Sequence, residues 1–186
     1  MRVLAVGRAF PPNYYDQETL IAAFTQHWAG AMHNQRRLEQ LHRHVLYHTQ
    51  PGDIVVVDAR GDIGSGVFGE MMLTYFMGKG GAGVVIDGCI RDWTHVQHLG
   101  LPLWLKGVTP NFHTQTNIFP FAVNVPVACS NVLVMPGDII VADDDGVVVV
   151  PAKLAEKVVE EASSHAEWED FSRYMLSQGG DLRKYY

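Results

Sequence analysis

The 186-residue sequence lacks several features that mark particular classes of protein. It has only two cysteines, Cys89 and Cys129, in separate apolar segments and without a C-x-x-C pair. We therefore expect reduced, buried thiols rather than disulfides or a zinc site. No block of Lys and Arg occurs and the net charge is −6, so we expect neither a nucleic acid nor an anionic membrane surface as a partner.

Long apolar runs are also missing. The first residues reach Pro11 and Pro12 before an apolar stretch of signal-peptide length has formed, and no run of about 18 apolar residues follows. These absences predict a cytoplasmic protein without a membrane span. What remains is ordinary for a globular protein, with 47% hydrophobic and 18% charged residues. The length predicts one domain over residues 1–186.

Helical and strand patterns divide the sequence into two parts. A strand within residues 1–10 precedes a helical pattern from Asp16 to about Tyr47, which Gly30 interrupts. On that pattern His44 and His48 are four residues apart and could bind a metal, although a polar helix face is the simpler interpretation without an H-E-x-x-H motif. Buried strands and one helix follow, at Ile54–Asp58, Glu70–Gly78 (the helix), Val84–Asp87 and Leu103–Leu105.

After residue 122 the apolar segments become short and closely spaced, which favours antiparallel pairing. The predicted strands are Val123–Val127, Val132–Val134, Ile139–Ala142 and Val147–Val150. An amphipathic helix from about Lys153 to Leu176 and a polar tail close the chain. Residues 1–50 and 153–186 are thus an N-terminal strand with helices and a C-terminal helix with its tail.

A glycine-rich loop predicted at Arg60–Gly69 contains GSGVFGE, which has the G-x-G-x-x-G spacing of a dinucleotide fingerprint. Asp87 follows Gly69 by 18 residues, as the ribose-binding acid of such a site would. However, Ala59–Ile63 separate the strand from the first glycine, and the later sequence lacks further βαβ units. The N–H groups near Gly69 and Glu70 could instead bind a carboxylate, or the glycines could serve helix–strand packing alone.

The segment DGCIRD, residues 87–92, places charged groups directly after a buried strand, where α/β sheets bind ligands. Arg91 and Asp92 could be ordinary surface charges. Together with Glu70 and Asp87, they could instead form a site for a hard metal ion and an oxyanion. Carboxylates and water suit Mg²⁺ or Mn²⁺, and a guanidinium suits a developing enolate oxygen.

Four segments carry a resemblance over about residues 51–151: GDIVVVDARGD, FGEMMLTYFMGKGGAGVVIDGCIRDW, GVTP and NVPVACSNVLVMPGDIIVADDDGVVVVP. Their order and spacing resemble the RraA-like family, which includes 4-hydroxy-4-methyl-2-oxoglutarate / 4-carboxy-4-hydroxy-2-oxoadipate aldolases. The resemblance implies an α/β fold, an α/β/β sandwich of the swivelling-domain type with a mixed central sheet and a C-terminal helix. It also implies a homo-oligomer, either trimer or hexamer, and a class II pyruvate aldolase that also decarboxylates oxaloacetate.

The resemblance also implies roles for individual residues. Asp92 would bind Mg²⁺ or Mn²⁺ directly, Arg91 would contact the keto oxygen of a small 2-oxo acid, and Glu70 would support a metal-bound water. Asp87 and Glu169 would complete the metal's surroundings, Glu169 from a neighbouring subunit with Glu167 as its alternative. The substrate carboxylate would lie on the backbone N–H groups of Gly69, Glu70, Met71, Met72 and Leu73.

The sequence departs from the family pattern at its N-terminus and in one loop. Gly7–Phe10 lies almost at the start, where family members usually have about fifty more residues, and Asn111–Phe121 is unusually aromatic. Both could change the substrate. A non-catalytic regulator of the ribonuclease E type is the alternative function, but that branch typically lacks the acid after the arginine, and Asp92 is present here.

Overall fold

The computed structural model describes residues 3–6, 41–112, 118, 120 and 122–186. The predictions for Gly7–Phe10 and for the helical pattern from Asp16 to residue 40 lie outside these ranges, as does part of the aromatic segment. The chain divides into two compact units, residues 1–149 and 150–186.

A parallel sheet of four strands forms the centre of the first unit. Apolar β-branched runs such as IVVV and GVVI account for its inner strands, since parallel strands are buried on both faces. Each neighbouring pair is parallel, in the order β1-β2-β3-β4. The strands are β1 (Val3–Val6), β2 (Ile54–Gly66), β3 (Gly83–Ile90) and β4 (Leu103–Val108).

Three helices among the described residues lie between these strands. They are α1 (Leu41–Tyr47), α2 (Glu70–Gly78) and α3 (Trp93–Val96). α2 has the bounds predicted from the sequence. It begins after Gly69, whose extended backbone (φ −123°, ψ 176°) turns the chain out of the sheet.

Two strand pairs follow the sheet. Antiparallel β5 (Val127–Cys129) and β6 (Val132–Val134) meet at a two-residue turn. Both turn residues are left-handed, with φ of 47° at Ser130 and 67° at Asn131, as tight hairpins require. β7 (Ile139–Ala142) pairs with β8 (Val147–Val150).

The two faces of the sheet carry separate hydrophobic clusters. On one face Val55 and Val57 pack with Leu73 and Phe76 of α2. The other face packs on the strand pairs, through Ile54, Val56, Val85, Val127, Val134 and Ile140. Because side chains alternate along a strand, the VVV run of β2 serves both clusters. The result is a helix layer, a parallel sheet and a layer of strand pairs, which agrees with the expected α/β/β arrangement.

Three predicted details differ from the structure. β2 continues past Asp58 to Gly66, with register shifts against β3, so most of the predicted glycine loop is irregular strand. The described strands of the central sheet are all parallel rather than mixed, because the antiparallel pairing lies in the separate β5–β6 pair. β5 begins at Val127, whereas the sequence predicted a strand over Val123–Val127.

The second unit is mainly helical. A short 3₁₀ turn (Ala152–Leu154) leads into α4 (Ala155–Ser177), close to the predicted helix, and α5 (Leu182–Tyr185) ends the chain. None of the helices in the described part of the chain combines the length and the apolar character that a membrane crossing needs.

Both cysteines are free thiols and buried, as expected. Burial is the main reason that the pKa of Cys129 rises to about 11, so this thiol stays protonated at neutral pH.

Candidate active site

The carboxyl ends of the sheet strands converge after Gly66, Ile90 and Val108. The N–H of Val67 donates to the carbonyl of Cys89 (2.9 Å), and the N–H of Arg91 donates to the carbonyl of Phe68 (2.9 Å). On the other side, the N–H of Thr109 donates to the carbonyl of Ile90 (2.9 Å). These bonds hold the segment after β3 between the segments that follow β2 and β4. They thereby fix the backbone positions of Arg91 and Asp92.

Asp92 sits at the turn from β3 into α3. Its backbone is left-handed (φ 62°, ψ 32°), a conformation that few residues other than glycine adopt. Its carbonyl accepts the N–H groups of His95 (3.0 Å) and Val96 (3.1 Å) and so starts α3. Its side chain is 46% exposed, and Oδ2 accepts the backbone N–H of Glu70 at 3.1 Å. A half-exposed carboxylate is thereby held at the N-terminus of α2.

Arg91 is more deeply placed, with 17% of its side chain exposed. Its Nη1 donates to the carbonyl of Gly66 at 3.0 Å, its Nε lies 3.6 Å from Oδ2 of Asp92, and its guanidinium stacks 4.9 Å from the centre of the Phe112 ring. Burial lowers the pKa of Arg91, and the negative charge of Asp92 opposes this effect. The guanidinium is thus oriented before any ligand arrives.

Gly69 allows this pair to approach the helix. A Cβ at this position would lie 2.3 Å from Oδ2 of Asp92 and 2.8 Å from Cζ of Arg91. Since the φ of Gly69 is −123°, the backbone itself would accept another residue. Any larger residue here would therefore displace the side chains of Asp92 and Arg91 from their present positions.

The first turn of α2 offers part of the predicted amide cradle. The N–H of Glu70 is taken by Asp92, while the N–H groups of Met72 and Leu73 both donate to the carbonyl of Gly69 at 3.1 Å. Within the described residues, the N–H groups of Gly69 and Met71 have no protein acceptor. Helix N-termini attract anions, so these groups could bind a small carboxylate.

Glu70 contributes its backbone to the site more clearly than its side chain. Oε1 of Glu70 accepts the hydroxyl of Thr74 at 3.2 Å, one turn along the same helix. Glu169 lies in the second unit, on α4, where it faces His165 (3.3 Å) and Arg173 (3.9 Å) and is 51% exposed. The metal-supporting roles implied for both acids stay predictions.

Asp87 lies on the other face of the sheet, with the second cluster. It is buried and paired with Nζ of Lys106, and it accepts the hydroxyl of Ser130 at 3.1 Å. Burial raises the pKa of Asp87, but the bonds from Lys106 and Ser130 outweigh burial and hold the pKa below its ordinary value. The structure therefore places Asp87 in an ion pair between β3, β4 and the β5–β6 turn rather than beside Asp92.

No three His, Cys, Asp or Glu side chains in the described ranges are grouped so that they could hold a metal ion. The carboxylate trio expected from the sequence is thus not assembled by these residues alone. Asp92 by itself is a hard oxygen donor, and the described residues give its Oδ1 no hydrogen bond. One carboxylate fits Mg²⁺ or Mn²⁺ bound mostly by water and substrate oxygens, and does not fit a cage built from protein ligands.

Sequence reasoning missed three residues around Arg91. Phe112 stacks on the guanidinium, and Asn111 donates its side-chain N–H to the carbonyl of Gly64 at 3.0 Å. The aromatic character of their segment was a signal for them. The positive charge of Arg43 on α1 is the smallest of the three causes that set the lowered pKa of Arg91, after burial and Asp92. No local pattern distinguishes Arg43 from other helix cations.

Comparison with known proteins yields one family. The family model described as RraA-like, Aldolase/RraA, matches residues 5–149. The solved structure of RraAS2 from Streptomyces coelicolor has a TM-score of 0.71 and 42% identity, over 93% of this chain and 75% of that chain. That protein is described as an unusual member of the RNase ES inhibitor RraA protein family.

Curated relatives of this chain include proteins named for an aldolase. A Halalkalibacterium halodurans protein, provisionally named 4-hydroxy-4-methyl-2-oxoglutarate aldolase, is 38% identical over 63% of this chain and 55% of its own length. The chain therefore spans only about half the length of this relative. The 4-hydroxy-4-methyl-2-oxoglutarate aldolase of Thermus thermophilus is 29% identical over 67% of this chain and 76% of its own length.

Proposed function

The chain belongs to the RraA-like family, and we propose that it is a carbon–carbon lyase that cleaves a 4-hydroxy-2-oxo acid to pyruvate and decarboxylates oxaloacetate. The observation that carries this proposal is the pair of Arg91 and Asp92 held at the N-terminus of α2 by Gly69. The aldolase names of two relatives support it.

The reaction breaks the bond between C3 and C4 of the substrate. The C4 hydroxyl loses its proton and becomes a carbonyl, while the electron pair of the broken bond stays on C3 as the enolate of pyruvate. C3 is then protonated. In oxaloacetate the same bond breaks with loss of CO₂. Each route develops negative charge on the C2 oxygen, which is the atom that the protein must stabilise.

The residues of the site suit this task. The N-terminus of α2, with the N–H groups of Gly69 and Met71, binds the C1 carboxylate. The guanidinium of Arg91 donates to the C2 oxygen, where a fixed cation stabilises the enolate more than the ground-state ketone. Phe112 and the carbonyl of Gly66 keep this guanidinium in place, so little reorganisation accompanies the reaction.

Asp92 holds Mg²⁺ or Mn²⁺ in this proposal, with Glu70 near it. When bound, the ion supplies a Lewis acid for the 2-oxo acid and lowers the pKa of a water that can exchange protons. We further propose a homotrimer or hexamer in which Glu169 of a neighbouring copy approaches this ion.

The alternative is a regulatory binding protein of the ribonuclease E inhibitor type, which the description of the Streptomyces coelicolor relative favours. Such a protein needs no electrophilic site. The charged pair at the helix terminus is more than a docking surface requires, and we therefore prefer the lyase.

The test is pyruvate release from oxaloacetate and from 4-hydroxy-4-methyl-2-oxoglutarate, with Mg²⁺ or with a chelator. We expect release that needs the metal and that Arg91→Ala lowers by about 10³-fold, the scale for loss of an oxyanion donor. An unchanged melting temperature and an unchanged mass of the particle in solution would show that Arg91→Ala retains the fold. Release at the wild-type rate from Arg91→Ala, or none from the wild type on either substrate, would reject the proposal.

A further inference from the structure

Residues 109–112, which follow β4, are bound to the end of β2. The N–H of Gly66 donates to the carbonyl of Asn111 (3.0 Å), and Nδ2 of Asn111 donates to the carbonyl of Gly64 (3.0 Å). A Cβ at Gly66 would lie 2.8 Å from the carbonyl oxygen of Asn111 and 2.9 Å from Cβ of Arg91. The glycine thus lets this segment and Arg91 lie side by side.

The guanidinium of Arg91 has one nitrogen that the protein uses little. Nη1 donates to the carbonyl of Gly66 (3.0 Å), Nε lies 3.6 Å from Oδ2 of Asp92, and Cζ lies over the ring of Phe112, 4.9 Å from its centre. Within the described residues, the contact of Nη2 is the sulfur of Met72 at 4.0 Å. A thioether is a weak acceptor, so a ligand oxygen can take Nη2 with little loss.

The ring of Phe112 restrains a motion that the other contacts permit. The contacts of Nη1 and Nε hold the edge of the Arg91 guanidinium, whereas a ring against its face limits tilting of the plane. Tilting would move Nη2 away from its direction. Because a donor stabilises developing charge only at hydrogen-bond distance, a small displacement of Nη2 would lower the rate.

We propose that Phe112 is a positioning residue, which fixes the plane of the Arg91 guanidinium so that Nη2 donates to the C2 oxygen as the enolate forms. The inference rests on the proposed function, to which it adds the donating atom and the residue that orients it. Phe112 acts through Arg91 in this role. Its removal should therefore lower kcat more than it changes KM, because the charge on the C2 oxygen develops in the transition state.

The test measures kcat and KM for pyruvate release with Mg²⁺ in the wild type, Phe112→Leu and Phe112→Tyr. Leu retains an apolar side chain without a ring face, and Tyr retains the ring. Phe112→Leu is also made in the Arg91→Ala variant, where no guanidinium is left to orient. Tyr75→Leu is the matched control for loss of an aromatic ring, since the ring of Tyr75 lies edge-on to that of Tyr47 (5.7 Å) rather than over a charge.

We expect Phe112→Leu to lower kcat about 10-fold, the scale of a partly buried contact between a cation and a ring, and to change KM less than about twofold. Phe112→Tyr and Tyr75→Leu should keep wild-type kinetics. In the Arg91→Ala background, Phe112→Leu should change kcat/KM by less than about twofold, because the two residues act as one unit.

A second variant leaves the ring in place. Asn111→Ala removes the bond to the carbonyl of Gly64 and so loosens the segment that carries Phe112. We expect kcat to fall about threefold, the effect of one hydrogen bond, again with little change in KM. This variant keeps the inference testable if thermal melting shows that Phe112→Leu folds poorly.

Three results would overturn the inference while leaving the proposed function intact. Phe112→Leu could turn over at the wild-type rate, or Phe112→Tyr could lose as much activity as Phe112→Leu. Phe112→Leu could also lower kcat/KM equally with and without the Arg91 side chain, which would mean that the ring does not act through the guanidinium. If the wild type releases no pyruvate from either substrate, the proposed function fails and this inference fails with it.

Discussion

Asp87 and Asp92 belong to one short segment, but the fold places them in opposite environments, one buried and one half exposed. Asp87 is buried on the sheet face that packs on the strand pairs, where it contacts Lys106 and Ser130. Asp92 lies beyond the end of β3, half exposed, with Oδ2 on the N–H of Glu70. One carboxylate has its partners supplied by the protein, whereas the other keeps one oxygen available.

The difference shows how position along a strand decides the role of an acid. A side chain within the sheet must find its partners in the adjoining layer, because an unpaired buried charge is costly. A side chain past the end of the strand escapes that requirement, and the open edge of the sheet is where ligands bind. We therefore expect substitutions at Asp87 to act on stability and those at Asp92 to act on turnover.

Replacing Asp92 should have the largest effect. Asp92→Asn retains the shape of the side chain but removes its charge, and with it the proposed metal ligand. We expect kcat/KM for pyruvate release to fall about 10³-fold, while the melting temperature changes by no more than about 2 °C, as is usual for exposed sites. Steady-state kinetics measure the change in kcat/KM, and thermal melting measures the change in stability. Near-normal turnover in Asp92→Asn would contradict a role for Asp92 in turnover.

Replacing Gly69 should also lower turnover through Asp92, but by less than replacing Asp92 itself. The new methyl group of Gly69→Ala would occupy the place of Oδ2 of Asp92, so the pair with Arg91 must move. We expect kcat/KM to fall about 100-fold, since small displacements in a site have effects of this size.

Gly78→Ala is the matched control for Gly69→Ala. Gly78 ends the same helix, and nothing lies within 4 Å of a Cβ there. It should keep wild-type kinetics and be as stable as the wild type or slightly more so. Equal losses of activity in the two variants would mean that α2 as a whole, rather than contact with Asp92 and Arg91, accounts for the effect.

Replacing Asp87 should have the smallest effect, and that effect should be on stability rather than on turnover. Asp87→Asn leaves the half-exposed Lys106 without its partner, so we expect the free energy of unfolding at pH 7 to fall by about 1–3 kcal/mol. The folded pKa of Asp87 lies below the ordinary value of 3.8, so its charge stabilises the fold above that pH. This contribution is lost as the pH falls through the folded pKa.

Urea unfolding of the wild type and Asp87→Asn at several pH values measures this contribution. The difference in unfolding free energy should be constant from about pH 7 to 5 and shrink below about pH 4. A variant with unchanged stability but without turnover would instead support the metal-binding role that the sequence predicted for Asp87.

Much of the architecture could be predicted locally. The helix Glu70–Gly78 and the strands at residues 132–134, 139–142 and 147–150 have their predicted bounds, because glycines and short apolar runs limit them. β2 was underestimated, since its extension to Gly66 depends on distant partners. The N–H of Gly66, for example, donates to the carbonyl of Asn111 (3.0 Å), which no local pattern reveals.

The candidate site was likewise predicted only where local patterns indicated it. The residue types in DGCIRD and GSGVFGE indicated charged chemistry near a helix N-terminus, and the structure brings Gly69, Arg91 and Asp92 together there. Asp87 was grouped with them because it is close in sequence. Strand alternation, and the Lys106 and Ser130 that face it, put Asp87 on the other face of the sheet.

The sequence by itself determined most of the helices and strands, because apolar periodicity and glycine positions act over a few residues. Only the tertiary structure decided which charges meet. It paired Asp87 with Lys106 and set Asp92 against the backbone of Glu70. Contacts between side chains depend on how helices and strands from distant parts of the chain pack, which local patterns do not encode.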